Sequence, residues 1–420
     1  MLKKVMKLML GQSGWNRLVS RIKYVKTQIY FKHNQNLTFR LNKEWEKEDY
    51  YVKGSHTFFG YYDIAQMNVQ EDKLLAHVIK HKSITSRDSA TVGYFSITDK
   101  KFVPVTMTRA WCWQQGARLR WHPLENNSII VNDVDGDHYI ARIVRLDTKE
   151  TVRVIPMALY DINNCFNFGL SLNFSRLQRL RPGYGYDTLK DVTEMENAPS
   201  NDGIFYIDLN NDRIKLLISL KELAKDVDVK LIYQHYINHI SIAPDGKRFM
   251  FFHIWNVPEL SNWKTRLCVY NLATEKIMIL EDTDKVSHYD WKSSEELLVT
   301  CYKPNKEQYY AIYNVITGEK TYLSSIGLNK DGHPSCYMEG TRFISDTYPL
   351  DHNLQKLFEY DINTNIQKDI VEAYSSPLLY GEQRCDMHPR LALSEKYITF
   401  DSTYSDNRRK IVLLKRRQNE

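Results

Sequence analysis

Asn238-His239-Ile240-Ser241-Ile242-Ala243-Pro244-Asp245-Gly246, followed by Arg248-Phe249-Met250-Phe251-Phe252, reads as a short strand, a Pro-Asp-Gly turn and a second strand. The unit recurs as Ser287-His288-Tyr289-Asp290-Trp291 before Ser293-Ser294-Glu295, as Gly332-His333-Pro334-Ser335-Cys336 before Met338-Glu339-Gly340, and as Met387-His388-Pro389-Arg390 before Ser394-Glu395-Lys396. In every copy the histidine stands six residues ahead of the same turn position, and successive copies are 49, 45 and 55 residues apart. Such spacings are those of β-propeller blades and exceed those of most helical solenoids. Each turn leads into a β-rich run: Leu297-Leu298-Val299-Thr300-Cys301-Tyr302, Arg342-Phe343-Ile344-Ser345 and Tyr397-Ile398-Thr399-Phe400.

Further strands close on polar turns, as in Thr265 to Leu272 before Ala273-Thr274-Glu275-Lys276 and Tyr310 to Val315 before Ile316-Thr317-Gly318-Glu319. Looser copies fill the first half: Phe59-Gly60-Tyr61-Tyr62-Asp63 before Lys73 to Val78, Arg120-Trp121-His122-Pro123 before Ser128 to Asp133, and Gly203 to Asn210. About 370 residues at roughly 45 to 50 per blade predicts an all-β, seven-bladed propeller. Residues 46–420 are expected to form it, behind a basic amphipathic N-terminal arm at residues 1–45.

Charge sets the arm apart. Residues 1–43 hold ten Lys or Arg and no acid, leaving 47 basic and 51 acidic residues in the rest of a chain whose net charge is +6. Ser13 is placed to cap a helix in which Trp15, Leu18, Val19, Ile22, Val25 and Ile29 form an apolar stripe. A basic amphipathic helix of this kind reads as a docking element for a membrane surface or a protein partner; a helix that merely packs across the propeller is the plainer alternative. No nucleic-acid partner is expected, because the propeller without its arm is slightly acidic.

Six cysteines without paired spacing, together with the absence of any apolar run near membrane-span length, predict buried free thiols and a cytoplasmic protein, peripheral at a membrane through its arm. Met1 to Leu10 lacks the length and cleavage site of a signal peptide, and Lys7 interrupts it. No Gly-x-Ser-x-Gly elbow, Walker loop or dinucleotide fingerprint is present.

A repeat that returns histidine to one register places imidazoles in equivalent positions around an axis. Asp386 stands two residues before His388, on the same face of a strand, and Gln383 enters from the preceding loop. With His288 and His333 they make a set of N and O ligands suited to a divalent ion such as Mn²⁺. His56, His122 and His352 fall outside the register and are read as structural. The loop Asn173-Phe174-Ser175-Arg176-Leu177-Gln178-Arg179-Leu180-Arg181-Pro182-Gly183-Tyr184-Gly185-Tyr186 offers arginine forks that match carboxylates, and tyrosine rings that stack on sugars. Arg176, Arg179 and Arg181 are therefore candidate partners for a substrate carboxylate, and Tyr184, Tyr186 and Arg384 candidate substrate contacts.

The segments Gly332-His333-Pro334-Ser335, Asp346-Thr347-Tyr348-Pro349, Gly381 to Pro389 and Phe400-Asp401-Ser402-Thr403 resemble the oligogalacturonate-lyase-type propellers and their relatives in bacterial polysaccharide gene clusters. The resemblance covers residues 235–405, and the earlier blades through architecture alone. In that family a Gln-x-x-His-x-His-Pro segment and one earlier blade-start histidine hold Mn²⁺, while another blade-start histidine is implicated as the base. The resemblance thus implies metal ligation by Gln383, Asp386, His388 and either His288 or His333, with His239 as the base. Asp386 stands where the family has a histidine, which gives the set a harder character.

β-Elimination from a uronate removes the proton α to a carboxylate, so the carboxylate needs a neutralising partner while a base takes the proton. The expected function is accordingly a metal-dependent, carbohydrate-active lyase that cleaves a uronate-containing glycan. The competing expectation is a non-catalytic propeller that binds an acidic oligo- or polysaccharide, or scaffolds its biosynthesis.

Overall fold

The computed structural model describes residues 2–33, 38–80, 88–227, 232–257, 262–323 and 328–417. Seven antiparallel sheets follow one another as the blades of a β-propeller. Six are four-stranded, five of them at residues 55–108 (blade 1), 120–155 (blade 2), 161–219 (blade 3), 235–281 (blade 4) and 285–323 (blade 5). Blade 6, at residues 335–374, gains Phe39–Leu41 as a fifth strand, in register with Val371 to Ala373. Blade 7 joins three C-terminal strands, from Arg390–Leu391 to Lys410–Arg416, to the early strand Trp45–Tyr50.

That last pairing closes the ring. Trp45–Tyr50 takes the outer place beside Lys410–Arg416, so the two ends of the propeller segment share one sheet. The propeller also begins earlier than the sequence suggests, since Phe39–Leu41 lie within the stretch expected to be arm.

Burial follows position in the blade. In blade 4 the second strand, Arg248–Val257, is apolar on both faces because neighbouring blades cover both, and all but Arg248 and Asn256 are buried. The outer strand, Lys276–Glu281, shows its first four residues to solvent. Sheet-on-sheet packing of this kind, with Tyr310 of blade 5 against Phe343 of blade 6, forms the core between blades.

The N-terminal helix, Leu2–His33, is interrupted at Gly11, whose positive φ no helix interior adopts. Ser13 falls two residues beyond this break, in the first turn of the second helical segment. The helix docks on blade 6 through Ser20, Thr27, Tyr30 and Phe31 rather than through the apolar stripe. Thr27 Oγ1 accepts from Asn353 Nδ2 at 2.7 Å, Tyr30 stacks on His352 with centroids 3.6 Å apart, and Phe31 meets Tyr374 edge-on. Ile22, Val25 and Ile29 remain about half exposed, and Leu8 and Met9 more so.

All six cysteines are free; Cys112, Cys268, Cys301 and Cys385 are buried, Cys336 is partly covered and Cys165 is exposed. No helix among the described residues is long and apolar enough to cross a membrane.

Candidate metal centre on the propeller axis

The histidines reach the axis because the backbone is bent to send them there. In the inner strand of blade 4 the pairing slips between Asn238 and Ser241, and in blade 5 between Val286 and His288. His239 and His388 have left-handed φ values of 57° and 48°, conformations uncommon for side chains larger than glycine. Bulges and strained residues of this kind re-aim side chains next to functional sites.

Three imidazoles form a chain across the axis, His288 to His333 at 4.1 Å between centroids and His333 to His388 at 4.4 Å. Each is oriented through Nδ1, which lies 3.0 Å from Asp331 Oδ1 in His288, 2.7 Å from Asp346 Oδ1 in His333 and 2.9 Å from the Gly60 carbonyl in His388. With the Nδ1–H donating, the lone pair sits on Nε2. The Nε2 atoms of His333 and His388 are buried and have no hydrogen-bond partner among the described residues. Orphaned acceptors with an oxygen partner behind them are the arrangement metal-binding histidines use.

The donor atoms of His333, Asp386 and His388 all lie within 4.8 Å of one another. This set could hold a metal ion, and it contains His333 and not His288. His288 packs beside the cluster, held by an Asp331 carboxylate that also accepts from Ser287, Thr300 and Tyr302. Gln383 ends the 3₁₀ turn Gly381–Gln383, where its main-chain carbonyl accepts from Arg409 Nη2.

Burial holds His388 well below the ordinary imidazole range, helped by the positive field of His333 and Arg390. His239 is held low by burial and then by His288, Arg181 and Arg118. His333 moves the other way: burial would lower it, but Asp346, Asp386 and Asp331 outweigh that and raise it. For Asp386 burial favours the neutral acid, yet Arg384 overrides it and keeps the carboxyl below its usual range.

His239 faces the cluster across Tyr61, whose ring lies 5.3 Å from His239 and 4.8 Å from His388. His239 Nε2 is 3.1 Å from the Asn238 amide nitrogen and 3.4 Å from the Tyr61 hydroxyl, while Asn238 Oδ1 accepts from Gln115 and Tyr160. That network places the imidazole proton of His239 on Nδ1 and its lone pair on Nε2. Burial raises the Tyr61 hydroxyl well above the ordinary tyrosine range, so it stays protonated.

The basic loop divides. Arg181 lies 4.1 Å over Trp263 and 5.2 Å from Tyr184, whose ring in turn meets His239 edge-on at 6.1 Å. Beyond Trp263, Lys285 sits 3.2 Å above the same indole. Arg181 and Tyr184 thus lie beside His239. Arg176 does not: it is buried and spends its guanidinium on the carbonyls of Thr193, His235, Glu196 and Asn197. Arg179 is tied to Asp191 at 2.8 Å, and Tyr186 is fully buried, stacked on Phe174 with its hydroxyl on Asn132. These three hold the loop together and are withdrawn as substrate contacts. Arg384 is near the cluster, but both oxygens of Asp386 take up its fork, at 2.7 and 2.6 Å.

Sequence reading overlooked Tyr61, Tyr62, Tyr348, Asp331 and Asp346. Tyr62 lies 5.2 Å from His333, and Tyr348 lies 5.8 Å from His333 and under Arg384. Gly60, beside the two tyrosines, has φ 127° and would place a Cβ 2.9 Å from the Gln115 carbonyl carbon, so only glycine lets its carbonyl meet His388 here.

Among solved structures the chain is similar to an oligogalacturonate lyase in complex with manganese, with TM-score 0.63 and 13% identity over 89% of this chain and 97% of that one. It is similar also to oligogalacturonate lyase from Vibrio parahaemolyticus, with TM-score 0.62 and 10% identity over 90% and 97%. The chain has the oligogalacturonate-lyase fold. At such identity the likeness establishes the propeller and its strand order, and the chemistry rests on the residues. No protein-family model matches the chain, and no curated protein sequence does.

Proposed function

We propose that this protein is a metal-dependent, carbohydrate-active propeller that cleaves a uronate-containing glycan by β-elimination. The observation that carries the reading is the convergence of His333, Asp386 and His388, with two buried Nε2 atoms that have no hydrogen-bond partner among the described residues. His333, Asp386 and His388 would hold the ion, and mixed imidazole and carboxylate donors suit Mn²⁺. When bound, the ion supplies Lewis-acid neutralisation of the uronate carboxylate.

The chain's own residues do the rest. Arg181 brings a second cation to that carboxylate, with no carboxylate partner of its own among the described residues, and Tyr184 and Tyr348 offer ring faces to the sugar. His239, neutral because burial and nearby cations hold it so, takes the α proton at Nε2. The C–H electrons form the new double bond as the C–O bond to the leaving sugar breaks. Tyr61, protonated and adjacent, returns a proton to the leaving oxygen. Metal-loaded protein incubated with a panel of uronate glycans should release an unsaturated, ultraviolet-absorbing product.

A second reading is favoured by one contact. Because Arg384 occupies both oxygens of Asp386, the site can be a glycan-binding pocket that holds no ion. Tight glycan binding without metal and without an eliminated product would select it. In either case the outward face of the N-terminal helix, with Ile22, Val25 and Ile29 exposed on a helix that holds eight Lys or Arg, suits an anionic membrane surface.

A further inference from the structure

The N-terminal helix does more than dock. Between it and blades 6 and 7 lies a cleft of about 530 Å³, a size that accommodates small ligands. Lys23 and Lys26 line one wall; Tyr348, His352, Tyr380 and Arg384 line the other. The helical spacing explains this, since Ser20, Lys23 and Thr27 follow one face toward the propeller, while Ile22, Val25 and Ile29 follow another away from it. Neither Lys23 nor Lys26 has an ion-pair partner among the described residues, and Asp351 is the one carboxylate lining the cleft.

The cleft adjoins the axial site through two of its lining residues. Arg384 and Tyr348 belong to both: Arg384 grips the Asp386 of the metal cluster, and Tyr348 lies 5.8 Å from His333 and 6.2 Å from His288. A ligand held along the helix therefore touches Arg384 and Tyr348, the two residues that border the cluster.

We infer that the cleft between the N-terminal helix and blades 6 and 7 is a binding subsite for the outlying residues of an acidic oligosaccharide, with Lys23 and Lys26 pairing their carboxylates. The inference rests on the proposed function and names where a longer chain lies. Two lysines one helical turn apart match carboxylates repeated along a uronate chain, and tyrosine faces beside them match sugar rings. It also gives the arm a role in length preference: the part of the glycan that reaches it is held by a segment outside the propeller core.

The test compares affinities by calorimetry for di- and hexasaccharides of galacturonate, guluronate and glucuronate type, with the full chain and with Lys23→Glu/Lys26→Glu. Both lysines are exposed, so the fold should tolerate the change. The expected result is a hexasaccharide bound at least ten-fold more tightly than its disaccharide by the wild type, with that ratio falling toward one in the variant. Equal ratios in the two proteins would overturn the inference and leave the function of the axial site standing. Failure of every acidic sugar to bind the wild type would instead overturn the reading of the axial site, and this inference with it.

Discussion

Arg384 closes on Asp386 in a two-point pair, Nε to Oδ1 at 2.7 Å and Nη2 to Oδ2 at 2.6 Å. The Asp386 carboxylate thus carries its own counter-charge. An ion drawn to His333 and His388 must share Asp386 with that guanidinium, or displace it.

Removing the guanidinium should therefore strengthen cation binding. Arg384→Leu takes away one positive charge next to the cluster and frees both carboxylate oxygens, and a gain of about ten-fold in Mn²⁺ affinity corresponds to about 1.4 kcal/mol. Titration calorimetry of the two proteins decides the point. Equal or weaker binding by the variant would show that Asp386 serves Arg384 alone.

Asp346 should matter although it is outside the His333–Asp386–His388 set, because it touches both of the set's histidines. Its Oδ1 accepts from the His333 main chain and is paired with Nδ1, while Oδ2 accepts from the His388 main chain at 3.1 Å. Asp346→Asn keeps the shape but supplies one oxygen where two are used, so metal affinity should drop by roughly 10- to 100-fold, the range for loss of an orienting partner. Binding within two-fold of wild type, in a folded variant, would dismiss this role.

Asp290 gives the stability a pH signature. Burial is the main cause that pushes its carboxyl up to about 7, against partial compensation from the Cys336 and Trp291 amides. Because the folded value lies above the unfolded one, the native state binds the extra proton between about pH 4 and 7, and stability falls as pH rises through that window. Asp290→Asn removes the penalty while still accepting from Cys336. Its denaturation midpoint should exceed that of the wild type at pH 8, with the gap closing toward pH 4. A gap independent of pH would refute the assignment.

The arm offers a test of location. Each Lys or Arg near an anionic bilayer contributes roughly 1 kcal/mol, and the exposed Ile22, Val25 and Ile29 add an apolar face to insert. The intact chain should sediment with phosphatidylserine-containing vesicles at low salt, and Ile22→Glu/Val25→Glu should stay in solution. Truncation must stop before residue 38, since Phe39–Leu41 is a strand of blade 6. Sedimentation unaffected by the double substitution would remove the membrane role.

The propeller was legible because turn chemistry repeats with the blades: Pro244-Asp245-Gly246 and its counterparts mark where each inner strand ends. The His333–Asp386–His388 cluster was legible for the same reason, because a shared register becomes a shared position on the axis. Tyr61 and Tyr62 were hidden, since blade 1 has no histidine in register and its contribution comes from the residues after Gly60. Asp331 and Asp346 were hidden by sequence distance, one lying 43 residues from the His288 it orients and the other 42 from His388. The arginine loop misled because composition cannot tell an arginine that faces a substrate from one that, like Arg176, satisfies main-chain carbonyls. The arm's stripe announced an amphipathic helix without saying which face the propeller would take.

In the proposed β-elimination the proton transfers would fall to His239 and Tyr61, 3.4 Å apart at Nε2 and hydroxyl. If His239 takes the α proton, His239→Ala should lower the rate of product formation by about 10²-fold or more, the low end of what a positioned base contributes. Metal content should be unchanged, because His239 lies outside the His333–Asp386–His388 cluster. Tyr61→Phe should preserve glycan affinity and slow turnover, least for substrates with a good leaving group, since such a group departs without a proton. A His239→Ala variant as active as the wild type would move the base elsewhere, and a Tyr61→Phe variant slowed equally on every leaving group would leave Tyr61 a packing role beside His388.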